Sequence, residues 1–214
     1  DTDSSQPTLF GRLTYMESYA NGVGTPAVTG LEEASSVEVS RDGAHVYVTG
    51  RGGDGGVALF ARDSDDSSPD FGKLTFGSTI AATPGNGLVD VIDSKLSVDG
   101  TILFTTSFNT STLSVFRRAA GGTLQFIEMK EDAIGGVDGL FGARRLAVSS
   151  DDRHIYATGN FDDALAIFVR DLDAPNNPVS LESTSHVVDA WSGNPIISVQ
   201  WSGASDQGHA GLAG

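Results

Sequence analysis

Five charged residues could form a chemical site, because they occupy equivalent places ahead of three similar segments of the chain. They are Glu33, Asp90, Asp93, Arg144 and Arg145. Converging carboxylates can activate a water molecule, and an arginine can stabilise an oxyanion; the opening of a lactone ring requires both. The same groups could bind a polar ligand without catalysis, or be solvated at the ends of loops. The sequence therefore predicts a polar binding site and leaves its use open among these alternatives.

A second candidate site is an acidic loop that contains Asp63, Asp65, Asp66 and Asp70. Carboxylate oxygens are the hard ligands that Ca²⁺ prefers. The spacing departs from the Asp-x-Asp-x-Asp-Gly pattern of EF-hand loops and lacks their bidentate glutamate. The loop is therefore a candidate calcium site, with simple solvation as the alternative, and the sequence predicts no other cofactor.

The familiar sequence signatures of catalysis are missing. The chain has no Gly-x-Ser-x-Gly elbow, no phosphate-binding glycine loop that ends in Lys-Ser/Thr and no His-Glu-x-x-His. It also has no cysteine, which excludes disulfides, thiolate metal sites and a cysteine nucleophile. These absences favour a protein that binds rather than one that catalyses.

The elements that must position the charged residues are repeated. Residues 36–62 read SVEVSRDGAHVYVTGRGGDGGVALFAR, and the same design returns at residues 94–118 and 146–171. Each copy has three apolar runs separated by turn residues, which is typical of antiparallel strands, and a fourth strand follows. A period of about fifty residues with about four strands predicts an all-β fold, a β-propeller built of four-stranded antiparallel blades.

Residues that recur in every copy are predicted to be structural. Asp42, Asp99 and Asp151 lie in the turn after the first strand, where an aspartate can bond its own backbone. His45 and His154 open the second strand, and one metal site cannot use ligands that are spread around a ring. The recurring aromatic residues are expected to pack between blades. They are Tyr47, Phe60, Phe104, Phe116, Tyr156 and Phe168.

The repeats predict how the chain is organised. We expect a tail at residues 1–10 and a propeller region at 11–214, with blades at about 31–80, 88–130 and 140–184 and partial blade strands at 11–19 and 194–214. The partial strands allow a four-bladed ring sealed by a shared blade, a piece of a longer ring, or two chains that close a ring of about eight blades. A piece of a longer ring is favoured, because the final Gly-Leu-Ala-Gly matches the Val-Tyr-Val-Thr-Gly of the first copy poorly.

Charge limits the class of partner. The chain has 28 acidic and 13 basic residues and a formal net charge of −15, so its surface repels nucleic-acid phosphates and anionic lipids. No stretch is long and apolar enough to span a bilayer. The sequence begins with Asp1 instead of Met and is rich in glycine, which favours an exported protein: periplasmic, secreted or in an organelle lumen.

Three runs of the sequence carry a family likeness. SRDGAHVYVTG, SSDDRHIYATGNFDDALAIFVRD and DAIGGVDGLFGARRLAVSS resemble the repeats of bacterial lactonase-type propellers, whose blades carry a Ser-Pro-Asp-Gly turn before His-Val-Tyr-Val. The chain departs from that pattern at Arg41, Val98 and Ser150, where proline is usual, and it has about half the usual length. The resemblance implies a seven-bladed ring and, in some members, lactone hydrolysis, but a fold does not decide a function.

These observations predict an exported, non-enzymatic propeller that acts as a binding or scaffold module, for instance as an extrinsic subunit of a larger assembly. Its partner would be another protein or a second chain that completes the ring, because exposed strand edges invite such pairing. The alternative function is a lactonase-like hydrolase with a polar site at the mouth of the central channel.

Overall fold

The computed structural model describes residues 11–172 and two short strands at 180–183 and 199–202. The strands of this part of the chain are β1 (Ala34–Val39), β2 (His45–Gly50), β3 (Gly56–Arg62), β4 (Leu74–Ala81), β5 (Val91–Leu96), β6 (Ile102–Ser107), β7 (Thr112–Arg118), β8 (Leu124–Glu131), β9 (Ala143–Val148), β10 (His154–Gly159), β11 (Ala164–Val169), β12 (Ser180–Ser183) and β13 (Val199–Ser202). One 3₁₀ turn, Pro84–Asn86, precedes β5. Within these described residues, no helix has the length and apolar character needed to cross a bilayer.

The strands form separate antiparallel sheets that follow one another along the chain. β1 to β4 make the first four-stranded sheet and β5 to β8 the second, while β9 to β11 make a three-stranded sheet. β1 lies beside β5, and β5 lies beside β9, so the first strand of each sheet is innermost. This radial arrangement of blades confirms the predicted all-β propeller fold.

The hydrophobic core lies between neighbouring blades. One cluster joins the first two blades and includes Tyr47, Val57, Leu103 and Phe116. Another joins the second and third blades and includes Phe104, Leu113, Leu146 and Ile155. Tyr47, Phe104 and Phe116 are almost fully buried in these clusters, which confirms the predicted packing between blades for these three aromatic residues.

The turn between the first and second strands is held by a serine and an aspartate. In the first blade, Ser40 Oγ donates to Asp42 Oδ1 at 2.5 Å and accepts a bond from the backbone N–H of His45 at 2.9 Å. The second and third blades contain the same serine–aspartate bond. The structural role predicted for the recurring aspartates is therefore confirmed.

An arginine at or just beyond the end of the third strand connects each of two blades to the blade before it. In the second blade, Arg118 donates to the carboxylate of Asp42 and to the hydroxyl of Tyr47, both at 2.8 Å. In the third blade, Arg170 donates to Asp99 at 3.0 Å. We call this contact the arginine clamp, which the repeat pattern alone does not predict.

Acid should weaken the arginine clamp. Hydrogen bonds from Ser40 and Arg118 hold the pKa of Asp42 well below its usual range. Burial alone would raise the pKa of Asp99. Hydrogen bonds to its carboxylate, of which the bond from Ser97 has the largest effect, outweigh burial and hold the pKa well below its ordinary value.

Because both folded-state pKa values lie below the unfolded value of about 3.9, the stabilisation is complete above about pH 4 and is lost as the pH falls further. We expect the urea concentration at the midpoint of unfolding to decrease when the pH is lowered below about 4. This decrease should be less steep in an Asp42→Asn variant. Equal pH dependence in the variant and the wild type would contradict this role for Asp42.

The two ends of the chain differ from expectation. Residues 11–33 contain no strand apart from an isolated bridge between Gly24 and Ala27, so the strand predicted at 11–19 is not formed. This segment is held against the first blade, where the ring of Tyr19 packs on Phe60 at 5.2 Å and Glu17 accepts a bond from the N–H of Leu74.

The late strands also pair differently from the prediction. β12, expected as the fourth strand of the third blade, pairs with β13 and not with β11. β13 itself falls within the predicted partial blade at 194–214. The rest of that partial blade and the tail at 1–10 lie outside the described residues.

Candidate functional site

Each blade begins with a residue in the left-handed backbone conformation. Glu33, Asp90 and Gly142 have φ values of 51°, 60° and 69°. In each blade the carbonyl of this residue accepts a hydrogen bond from the residue that follows the second strand. That residue is Arg51 in the first blade and Phe108 in the second. Side chains of all three blades are therefore set out along one rim of the propeller.

A cavity of about 340 Å³ opens at this rim, which we call the rim cavity. Its lining consists of Glu33, Ala34, Ser35, Arg51, Ile92, Arg144 and Arg145. All three blades contribute, since the first supplies Glu33, the second Ile92 and the third the two adjacent arginines. The structure thus brings together three of the five predicted residues, Glu33, Arg144 and Arg145.

Asp90 lies outside the lining of the rim cavity and supports it. Only 8% of Asp90 is exposed, and its carboxylate accepts a bond from Arg51 Nε at 2.7 Å. The bond to Asp90 raises the pKa of Arg51, so the guanidinium stays charged. Asp90 therefore orients an arginine of the cavity, which is a positioning role.

Asp93 is also withdrawn from the rim cavity. Its Oδ1 accepts a bond from the hydroxyl of Ser36 at 3.0 Å, and its Oδ2 accepts one from the N–H of Leu146 at 3.0 Å. Only 6% of Asp93 is exposed. Since both oxygens are already bonded to neighbouring blades, Asp93 is poorly placed to accept a proton from water. It ties the innermost strands β1, β5 and β9 together.

The rim cavity is cationic although the whole chain carries a formal net charge of −15. The lining contains three arginines, Arg51, Arg144 and Arg145, and one carboxylate residue, Glu33, while Asp90 behind the lining is paired with Arg51. Glu33, Arg144 and Arg145 are exposed, so solvent and a ligand can reach them. Such a set can bind an anion or a developing oxyanion while the carboxylate polarises water.

Three of the predicted calcium ligands form separate bonds and do not converge as the residues of the rim cavity do. Asp63 and Asp65 accept bonds from hydroxyl and N–H groups of their own loop, and Asp70 forms an ion pair with Lys73. The calcium site at Asp63, Asp65, Asp66 and Asp70 therefore remains a sequence prediction.

A different acidic group is found at the rim. In the described part of the chain, the carboxylates of Asp132, Asp138 and Asp162 lie within 4.8 Å of one another. Asp132 accepts a bond from the N–H of Leu140 at 3.0 Å, and Asp162 accepts one from the N–H of Phe141 at 2.9 Å. These bonds fix the loop that precedes β9 against the turn between β10 and β11.

Sequence reasoning missed Arg51, although a signal was present. The prediction rested on equivalent positions that differ between blades just before the first strand. The position after the second strand differs in the same way, being Arg51, Phe108 and Asn160 in the three blades. The same comparison at this position would have added Arg51 to the candidate residues.

Comparison with solved structures gives the relatives of this fold. The periplasmic gluconolactonase of Pseudomonas aeruginosa matches 64% of this chain and 36% of its own length, at 22% identity and a TM-score of 0.50. The match to a putative 6-phosphogluconolactonase of Bacteroides fragilis covers 72% of this chain and 42% of that protein, at 20% identity and a TM-score of 0.53. The match to a putative 6-phosphogluconolactonase of Bacteroides uniformis covers 72% of this chain and 41% of that protein, at 16% identity and a TM-score of 0.52.

The likeness shows the fold. This chain shares the propeller of proteins named as gluconolactonases and putative 6-phosphogluconolactonases, and it spans between 36% and 42% of their length. No protein-family model and no curated protein matches the chain.

The comparison corrects the predicted function. A non-enzymatic scaffold was expected from the missing catalytic motifs, and that prediction is wrong, because the structural relatives carry the names of lactone-hydrolysing enzymes. The motif argument failed because it tested for signatures of other folds. In a propeller, the candidate groups come from separate blades and leave no contiguous motif.

Proposed function

We propose that this protein hydrolyses sugar-acid lactones in the rim cavity. The observation that carries the proposal is the convergence of Glu33 with Arg51, Arg144 and Arg145 in one open cavity. The names of the structural relatives support the same class of substrate. The periplasmic relative also supports an exported location. The partner that we propose is another protein or a second chain that completes the ring.

The reaction needs one base and one stabiliser of negative charge. Glu33 accepts a proton from water as the water oxygen bonds to the lactone carbonyl carbon, and the carbonyl oxygen becomes an oxyanion. The guanidinium groups of Arg144 and Arg145 stabilise this oxyanion. The ring C–O bond then breaks, the leaving alkoxide takes up the proton, and a hydroxy acid is released.

Arg51 has a separate part in this scheme. Its Nε is bonded to Asp90, so the guanidinium is held in place before a ligand arrives. A pre-oriented donor loses less entropy when it binds a substrate hydroxyl or the carboxylate of the product. Arg51 therefore positions the ligand, and Asp90 acts through Arg51.

Loss of one arginine tests the proposal. We expect the wild type to accelerate the opening of glucono-δ-lactone above its spontaneous rate, measured as proton release at constant pH. Arg145→Gln should lower kcat/KM by roughly tenfold to a hundredfold, since one stabiliser of the oxyanion is lost and its neighbours remain. Arg117→Gln, an exposed arginine on β7, is the matched control and should leave kcat/KM unchanged.

Two results would contradict the proposal. If the wild type accelerates no aldonolactone, the protein is not a lactonase. If the wild type is active and Arg145→Gln is equally active, the reaction takes place outside the rim cavity. Circular dichroism and the urea midpoint should show that both variants are folded.

A further inference from the structure

A group of three phenylalanine rings, two exposed and one half-buried, lies on the same rim as the rim cavity. The ring of Phe161 lies 5.1 Å from that of Phe108 and 5.0 Å from that of Phe141. Phe141 is 51% exposed and Phe161 is 55% exposed. Burial of aromatic rings is strongly favourable, so adjacent exposed rings on a rim of loops often mark a place where something binds. We call these three residues the phenyl platform.

The phenyl platform packs closely on the backbone beneath it. Gly142 has a φ of 69°, and a Cβ atom there would lie 2.7 Å from the ring of Phe161, so only glycine leaves room for this ring. The N–H of Phe161 also donates to the carbonyl of Phe141 at 3.0 Å. The backbones that carry Phe141 and Phe161 are therefore tied together before a ligand arrives, which lowers the entropy lost on binding.

Two short connections join the phenyl platform to the rim cavity. Phe141 is three residues from Arg144, a length of chain that spans at most about 11 Å. On the other side, the N–H of Phe108 donates to the carbonyl of Asp90 at 3.1 Å, and the carboxylate of Asp90 holds Arg51. A ligand bound in the cavity can thus extend onto the rings if it is longer than one sugar unit.

The groups around the phenyl platform indicate the chemistry of that extension. Asp162 bonds to the N–H of Phe141, and the carboxylates of Asp132 and Asp138 lie beside it. Carboxylates accept hydrogen bonds from hydroxyl groups and repel anions. A pyranose ring presents an apolar C–H face to a phenyl ring and hydroxyl groups at its edge, whereas an aryl ring has no such donors.

We propose that the phenyl platform binds a second pyranose ring, so that the preferred substrate is an aldonolactone that carries a glycosyl group. This inference rests on the proposed function. The arginines of the rim cavity hold the lactone end, and the rings and carboxylates hold the uncharged sugar. The opposite charges at the two ends fix the direction in which the substrate lies.

The test compares lactobionolactone, which carries a galactosyl group, with glucono-δ-lactone. In the wild type, kcat/KM should be higher for lactobionolactone. Phe161→Ala should lower the ratio of the two kcat/KM values by roughly threefold to tenfold, because aromatic stacking contributes on that scale. Phe161→Tyr keeps the ring and should retain the ratio. Phe71→Ala, an exposed phenylalanine in the loop between β3 and β4, is the control and should also retain it.

The outcomes separate this inference from the proposed function. If both lactones are hydrolysed and the ratio is the same in the wild type and Phe161→Ala, the inference is overturned and the lactonase stands. If neither is hydrolysed, binding of lactobionate is measured by saturation-transfer NMR. Binding that Phe161→Ala weakens then supports the platform alone, and no binding to the wild type overturns it. Concentration-dependent dimerisation that Phe161→Ala abolishes would also overturn it, because the rings would then bind a second copy.

Discussion

Glu33→Gln should reduce kcat for glucono-δ-lactone by roughly a hundredfold to a thousandfold, because general-base catalysis contributes on that scale. Glu33 supplies the carboxylate in the lining of the rim cavity, which it shares with Arg51, Arg144 and Arg145. Glutamine has the same shape and can donate and accept hydrogen bonds, but it cannot accept the proton of the attacking water. Substrate binding should therefore change much less than turnover, so that the loss falls on kcat and not on KM.

The backbone at Glu33 makes this substitution a fair test. Its φ of 51° is unusual for a residue with a side chain, and glutamine meets the same restriction as glutamate. The urea midpoint of Glu33→Gln should thus equal that of the wild type. Glu128→Gln, an exposed glutamate on the outer strand β8, is the matched control and should keep full activity. Wild-type kcat in Glu33→Gln would assign the proton transfer to another group.

The positions that sequence reasoning identified correctly are those that depend on the repeat alone. Ser40 and Asp42 form their turn from neighbouring residues, so a short pattern is enough to predict it. Tyr47 is buried between blades because its place in the repeat puts it on the packed face of β2. The rim itself was also predictable, since residues just before the first strand of every blade must lie at the same end of the ring.

What the sequence could not give is the set of partners from other blades. Asp93 has a side chain that could act in catalysis, but its oxygens accept hydrogen bonds from Ser36 and Leu146. These two partners lie more than fifty residues before and after Asp93 in the sequence. Asp90 was expected to face the ligand and instead holds Arg51. Whether a carboxylate is free or bonded depends on how neighbouring blades are rotated against each other, and the period of the repeat does not contain that information.

Arg118→Met should destabilise the contact between the first two blades, lowering the free energy of unfolding by about 1.5–3 kcal/mol. The side chain of Arg118 is only 10% exposed, and it donates to Asp42 and to the hydroxyl of Tyr47. Burial raises the pKa of Tyr47, and its neutral hydroxyl donates to the carbonyl of Gly122 at 2.6 Å. Methionine keeps much of the volume and removes every donor, so the buried hydroxyl of Tyr47 and the half-exposed carboxylate of Asp42 both lose this partner.

Arg62→Met is the matched control for this clamp, because Arg62 occupies the equivalent place in the first blade. Arg62 donates to the carbonyl of Gly43 at 3.1 Å, within its own blade, and lies over the ring of Phe71. Its loss should cost about 1 kcal/mol or less, since one hydrogen bond and one exposed cation–π contact are removed. Urea unfolding of both variants at neutral pH measures the difference. Similar midpoints would mean that apolar packing around Tyr47 and Phe116 holds the two blades together and that the arginine clamp contributes little.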